Sequence, residues 1–208
     1  MNYWTDHRPV HRSRAVDAEG IARAALALLD EGGLEALTLR AVAAALGVAP
    51  SSLYSRVRSL EDVLDLALDA ALGADPAVQA LVRARTAGPE VLDELLLSHF
   101  RHLCRHPWAL QVLPRRALRG PHHLALSERM CGLLEHEGAR DPLAAAYALS
   151  NLVIGSAMTS ALDEEELTTP VDERLAPGYA RLHGAGTADS EDVLRLGLVA
   201  LREALTAS

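Results

Sequence analysis

Apolar residues recur at intervals of three and four along most of the chain, which is the period of an amphipathic helix. Ile21, Ala24, Ala25, Leu28 and Leu29 follow Asp17, whose carboxylate suits a helix N-cap, and the run ends at Gly32-Gly33. A short helix is expected after Thr38, with Leu39, Val42, Ala43 and Leu46 on its apolar side and Gly47 as its stop. Another opens at Pro50, a good first-turn residue, and runs through Leu53, Tyr54 and Val57. Ser59-Leu60-Glu61-Asp62 has the form of a capping box and opens a fourth helix. This helix turns Val63, Leu64, Ala67, Leu68 and Ala71 inward and ends at Gly73-Ala74-Asp75-Pro76.

The remainder reads the same way. Pro76 to Pro89 is a short helix and a loop, and Glu90–Arg105 is a helix after which Pro107 starts a new segment. Gly120-Pro121 opens a helix to Gly138, and Asp141-Pro142 opens a long one through Leu162. Pro170, Pro177, Gly178, Gly184 and Gly186 make Glu164–Gly186 mostly loop. Asp189 or Ser190 then caps a last helix carrying Val193, Leu194, Leu196, Leu198, Val199 and Leu201. No period-two strand and no internal repeat is found, so the fold class is all-α.

Composition sharpens this picture. Half of the 208 residues are apolar but only 3% are aromatic, so the core is built mainly from Leu, Ala and Val. All 20 basic residues are arginine, and Ala, Leu and Arg all favour helix. Charged residues are expected to interrupt every long apolar run, which excludes a membrane span, and the N-terminus lacks the apolar stretch of a signal peptide. Cys104 and Cys131 are far apart with no CxxC, which argues against a disulfide framework and fits a reducing cytoplasm. The net charge of −8 excludes a chain coated in nucleic acid, but the charge is unevenly spread. No acid lies between Glu35 and Glu61, where Arg40, Arg56 and Arg58 fall. Upstream, His7, Arg8, His11, Arg12 and Arg14 stand against Asp6 alone; downstream come Glu61, Asp62, Asp65 and Asp69.

Two short helices around Gly47-Val48-Ala49 form a helix-turn-helix pattern. Gly47 serves the turn, and Ala43, Leu46, Leu53 and Val57 serve the helix crossing, so the second helix would present its first turn to a major groove. The wording from Ala24 to Arg40, then Leu46-Gly47-Val48, Ser52-Leu53-Tyr54 and Val57, closely resembles the N-terminal DNA-binding domain of the TetR family, over about Val16 to Leu72. His106-Pro107-Trp108, Gly120-Pro121, Tyr147 to Gly155 and Leu196–Leu201 are similar to a tetracycline-repressor type of C-terminal regulatory domain. The resemblance implies a homodimer that represses transcription and releases double-stranded operator DNA when a small molecule binds. It implies a flexible arm over 1–14, a helix-turn-helix domain over 15–59, a connecting helix over 60–75 and an effector-binding and dimerisation bundle over 76–208.

Carried over by position, the resemblance puts Thr38 at a phosphate and Arg40 at or near a base edge. Pro50, Ser51, Ser52, Tyr54, Ser55 and Arg56 would lie on the exposed side of the recognition helix. Tyr54 would lie along the sugar-phosphate backbone, although a lone helical tyrosine also suits half-buried packing. Arg40 and Arg56 are both candidates for guanine O6 and N7. Many family members carry Lys at the start of the fourth helix; here Leu60 stands there, and Arg58 is the candidate to replace its phosphate anchor. Arg8, Arg12 and Arg14 suit either a minor-groove arm or a solvated tail.

His99, His102 and His106 are spaced to share one helix face, with Cys104 near and His122-His123 following. The ligand set is incomplete for zinc, so no metal or other cofactor is expected. His99, His102, Trp108, Gln111, Met130, Asn151 and Met158 suit the lining of an apolar effector pocket. Trp108 would offer a flat surface to an aromatic or polycyclic effector, or else pack in the core. Ala145, Leu149, Leu152, Ser156 and Thr159, with Gly155 for close approach, form a stripe for dimerisation with Val193–Leu205, or for the monomer's own core. The acid patch Asp163–Glu166 has no Glu-x-x-His pair beside it, and no triad or phosphate loop occurs, so an enzyme is not expected. A sensor or interaction protein that keeps the fold without operator binding is the main alternative.

Overall fold

A computed structural model describes residues 3–6, 16–160, 168–184 and 189–206, and Arg8, Arg12 and Arg14 of the expected arm lie outside them. The helices are α1 (Tyr3–Asp6), α2 (Ala18–Ala36), α3 (Leu39–Ala45), α4 (Leu60–Ala74), α5 (Pro76–Arg83), α6 (Pro89–Arg105) and α7 (Pro107–Val112). They continue with α8 (Pro121–His136), α9 (Pro142–Ser160), α10 (Pro177–His183) and α11 (Ser190–Thr206). Two tighter 3-10 turns, Pro50–Ser55 and Leu113–Arg115, complete the order, and no strand occurs among the described residues. The chain is all-α.

The residues form two compact units. The first takes in the described residues up to Thr86 together with Arg105–Gly132; the second is Ala87–Cys104 with the described residues from Leu133 onward. In the first, Ile21, Ala25 and Leu29 of α2 are buried, as are Val63, Leu66, Ala67 and Leu72 of α4, with which α2 packs. The Asp17 carboxylate accepts from the Gly20 amide at 2.7 Å and so caps α2. Gly33, at φ 65°, breaks the helical backbone near the end of α2, where the glycine pair marked a stop. In the second unit, Leu92, Leu95, Leu96 and Leu103 of α6, Ala145, Leu149 and Val153 of α9, and Leu194 and Leu198 of α11 are buried.

Among its described residues Glu164–Gly186 is non-helical over more than half its length, as expected, although Pro177 starts the short helix α10, which buries nothing. Two expectations need correction. Charge does not interrupt every apolar run: Pro142–Ser160 is 19 residues long, uncharged and apolar enough by length and composition to cross a membrane. Ser150, Asn151, Ser156 and Thr159 within it make it a helix of mixed polarity, with only part of it buried. The stripe assigned to dimerisation is also divided. Ala145 and Leu149 belong to the unit's own core, whereas Tyr147, Met158, Val193 and Leu196 are exposed. Close helix approach occurs at Gly197, where an added Cβ would lie 3.2 Å from Leu152, while Gly155 has open space around it.

Candidate nucleic-acid interface

The site is assembled by α3, a tight turn and the 3-10 segment after it. Thr38 caps α3, its Oγ1 accepting from the Ala41 amide at 3.0 Å, and its side chain is exposed beside the exposed Arg40. Gly47 takes φ 66°, a left-handed conformation that L side chains adopt only with strain, and closes the helix as its amide donates to Ala44. The Val48 amide donates back to Ala43 at 3.0 Å. The chain is thus redirected within the four residues before Pro50.

The second element is shorter than expected. Pro50–Ser55 is a 3-10 turn and not an α-helix running on to Val57. The amides of Arg56 and Val57 both donate to the Leu53 carbonyl, at 2.8 and 2.9 Å, and Arg56 leaves helical geometry at φ −124°. A short segment pinned at both ends suits this tighter winding. Leu53 and Val57 are fully buried and anchor it. Pro50, Ser51, Ser52, Tyr54 and Ser55 are exposed, Tyr54 to 60%. Ser55 Oγ donates to the Ser52 carbonyl at 2.9 Å, which uses its proton and leaves the oxygen able to accept.

The two remaining arginines are placed differently from expectation. Arg56 is half-buried rather than on the exposed side, and its Nε donates to the Val16 carbonyl at 2.9 Å. Arg58 directs Nε and Nη2 to Asp62, both at 3.1 Å, and its amide to the same carboxylate at 2.8 Å. Ser59 Oγ accepts from the Asp62 amide at 3.4 Å, as a capping box requires, but the Asp62 carboxylate returns to Arg58 instead of to Ser59.

The acids of α4 matter for the same surface. Asp62, Asp65 and Asp69 follow one another at three and four residues, and all are buried. Asp65 accepts from the Tyr3 amide at 2.9 Å and from Arg116 Nε at 2.8 Å. Arg116 also reaches the Glu61 carboxylate and carbonyl. Asp69 accepts from the His122 and His123 amides at 3.0 and 3.1 Å and lies 3.2 Å from His123 Nδ1. Gly120 is required here, since a Cβ would overlap the Asp69 carboxylate. These carboxylates look inward, so they do not oppose a polyanion at the exposed face. Their i, i+3, i+7 spacing was visible in the sequence; the partners of Asp65 and Asp69, fifty or so residues away, were not.

The residues assigned to an effector pocket divide between the units. In the first, Trp108 is buried and its Nε1 donates to Asp30 at 2.8 Å, Met130 is buried, and Gln111 is exposed. His106 does not share a face with the other histidines: α6 ends at Arg105, and His106 Nδ1 lies 2.7 Å from Asp30. In the second unit His99 and His102 are buried with their rings stacked at 6.2 Å, and Asn151 and Met158 are exposed. Among the described residues no three His, Cys, Asp or Glu side chains converge on a point that could hold a metal.

Comparison with known proteins agrees with this geometry. Residues 21–66 match the family described as bacterial regulatory proteins, tetR family. An HTH-type transcriptional regulator of Saccharopolyspora erythraea is 36% identical over 200 residues, 89% of this chain and 82% of that protein. The HTH-type transcriptional repressor DrrR1 of Streptomyces coeruleorubidus is 33% identical over 149 residues, 70% of this chain and 54% of that one. Among solved structures, ActR of Streptomyces coelicolor in complex with actinorhodin superposes with a TM-score of 0.77 at 25% identity, over 93% of this chain and 97% of that chain. A helix-turn-helix built by these residues, and a relative this similar over most of its length, place the chain in the TetR family of bacterial transcriptional regulators and not among enzymes.

Proposed function

We propose that the chain is a cytoplasmic repressor that binds a palindromic operator as a homodimer and releases it when a small apolar effector binds. The observation that carries the reading is the exposed set Thr38, Arg40, Pro50, Ser51, Ser52, Tyr54 and Ser55, from a stretch with no acid between Glu35 and Glu61. Hydroxyls and the Tyr54 phenol suit phosphate and sugar contacts, and Arg40 is the base reader that this geometry favours over Arg56. Two copies would seat their recognition segments one helical turn apart, about 34–36 Å.

The uncovered apolar faces of α9 and α11 support the dimer, because Leu143, Tyr147, Met158, Val193 and Leu196 are all exposed in the single chain. The named repressor DrrR1 supports repression, and the ActR complex with actinorhodin supports control by a small organic molecule. His99 and His102 are the polar contacts proposed for that molecule. Trp108 drops out of the lining because its indole is committed to Asp30.

The test is a gel shift with DNA flanking the protein's own gene, repeated across a salt series. Binding should weaken steeply with salt, since released counterions drive phosphate contacts. A second reading, a regulator-like sensor without operator binding, is favoured by Leu60 and by the internal engagement of Arg56 and Arg58. Failure to shift any flanking DNA at low salt would decide for it.

A further inference from the structure

We propose that Asp30 is a positioning residue for operator recognition, which holds α2 to the segment Arg105–Val112 and so sets the pose of the recognition turn; this rests on the operator-binding reading above. Asp30 lies in the last regular turns of α2, the helix that packs against α3 of the helix-turn-helix, before the backbone breaks at Gly33. One oxygen of its carboxylate accepts from Trp108 Nε1 at 2.8 Å and meets His106 Nδ1 at 2.7 Å. His106 and Trp108 rings stand edge to face, 6.1 Å apart. A single carboxylate therefore fixes two rings at the start of α7.

The setting of Asp30 suits it to fix pose and not merely to add stability. First, Trp108 is buried, so its N–H must find an acceptor inside the fold, and Asp30 is the acceptor it has. Secondly, the Asp30 side chain is itself 39% exposed, so its screened charge adds little to folding. What a hydrogen bond of fixed length and direction supplies at such a place is orientation. Thirdly, the same segment is held to the reading head in the same manner elsewhere. Arg105 pairs with Asp75 at the end of α4, Arg116 with Asp65 and Glu61, and the amides of His122 and His123 with Asp69. Carboxylates of α2 and α4 thus grip residues 105–123 at successive points, and Asp30 is the grip on α2. Apolar faces in contact can slide past one another, whereas one carboxylate oxygen shared by two rings restricts them to a narrow set of arrangements.

The experiment compares wild type, Asp30→Ala, Asp30→Asn and Trp108→Phe, each confirmed folded by its thermal melt, on DNA flanking the protein's own gene. Asp30→Ala removes the acceptor and should weaken operator binding about tenfold at a temperature where the protein is fully folded. Asp30→Asn keeps an amide oxygen for the indole and should restore binding to within about twofold of wild type. Trp108→Phe, which keeps the ring and removes the donor, should match Asp30→Ala, and the double variant should be no worse than either. The indole N–H resonance of Trp108, assigned by its loss in Trp108→Phe, should shift further toward that of an unbonded indole in Asp30→Ala than in Asp30→Asn, which keeps a neutral acceptor. Equal operator affinity for all variants, or additive losses in the double variant, would overturn the proposal while leaving operator binding intact. No binding by wild type would instead remove the reading on which it rests.

Discussion

Replacing Leu196 by Glu should convert the protein from dimer to monomer. Leu196 is 75% exposed on α11 and takes no part in its own unit's core, so the fold should tolerate the change. Burying a leucine fully is worth about 1.5–3 kcal/mol; three-quarters of that, contributed once by each copy, gives about 2–4 kcal/mol to association. A carboxylate in its place adds a desolvation penalty of at least a few kcal/mol. The sum predicts a dimer dissociation constant raised by about a thousandfold or more. Sedimentation velocity at micromolar protein reads this directly, and Tyr147→Asp on α9, at 62% exposure, should behave alike. Operator binding should fall with the dimer, because one half-site offers half the contacts. If Leu196→Glu and Tyr147→Asp both sediment as wild-type dimer, the α9–α11 face is not the interface, and the exposed apolar stripe needs another explanation.

Tyr54→Ala should weaken operator binding about tenfold and leave the melting temperature unchanged, since the ring is largely solvent-exposed; a filter-binding series with parallel melts checks both. Arg116→Met should cost about 3–5 kcal/mol in denaturant unfolding, because Asp65 would stay buried without its guanidinium partner; a loss below about 1 kcal/mol would mean that water reaches the site. Glu137 titrates above the ordinary carboxylate range because burial disfavours its charge, against the nearby Arg202. Its folded form therefore holds the proton more tightly than the unfolded chain, so this group's contribution to stability falls as pH rises from the ordinary carboxylate value through the raised one. Glu137→Gln should flatten that part of the stability profile, and an unchanged slope would refute the assignment.

Periodicity and caps carried most of the fold. Asp17 and Ser59 cap where their residue types and positions said they would, and Thr38 caps the helix expected after it, because a capping bond joins residues three apart and is written locally. Gly47 marks the turn for the same reason. Failures came where distant parts of the chain decide. The spacing of His99, His102 and His106 suggested one face, but the helix ends before His106, whose partner is Asp30 on α2. Trp108 read equally well as a ligand surface or as core, and the choice depended on an acceptor 78 positions away. Arg56 read as exposed under an α-helical register; the 3-10 winding of Pro50–Ser55 turns it toward Val16 instead. The side of α9 that faces its own core could not be told from the side left open, since both carry small and apolar residues at helical spacing.

The acidic residues that follow the helix-turn-helix resolve an apparent conflict between net charge and DNA binding. A chain of net charge −8 with Glu61, Asp62, Asp65 and Asp69 directly after its recognition segment should repel a polyanion if those groups faced outward. Three of them are buried and each is bonded to a named donor, so their charge is spent on Arg58, Arg116 and the amides of His122 and His123. This bonding also changes how α4 must work. An α4 held by apolar packing alone could shift by small increments as side chains repacked. Held to Arg116 by Asp65 and to His122 and His123 by Asp69, two points along one stripe, it follows residues 116–123 as a rigid body or breaks a buried polar contact, and the second course is costly. Under the proposed effector control, a ligand that favours one arrangement of residues 105–123 by its differential affinity would bias α4 in the same sense, and through Asp62 and Arg58 the recognition turn. The acids that appeared to weaken the DNA-binding reading are the parts best suited to make it switchable.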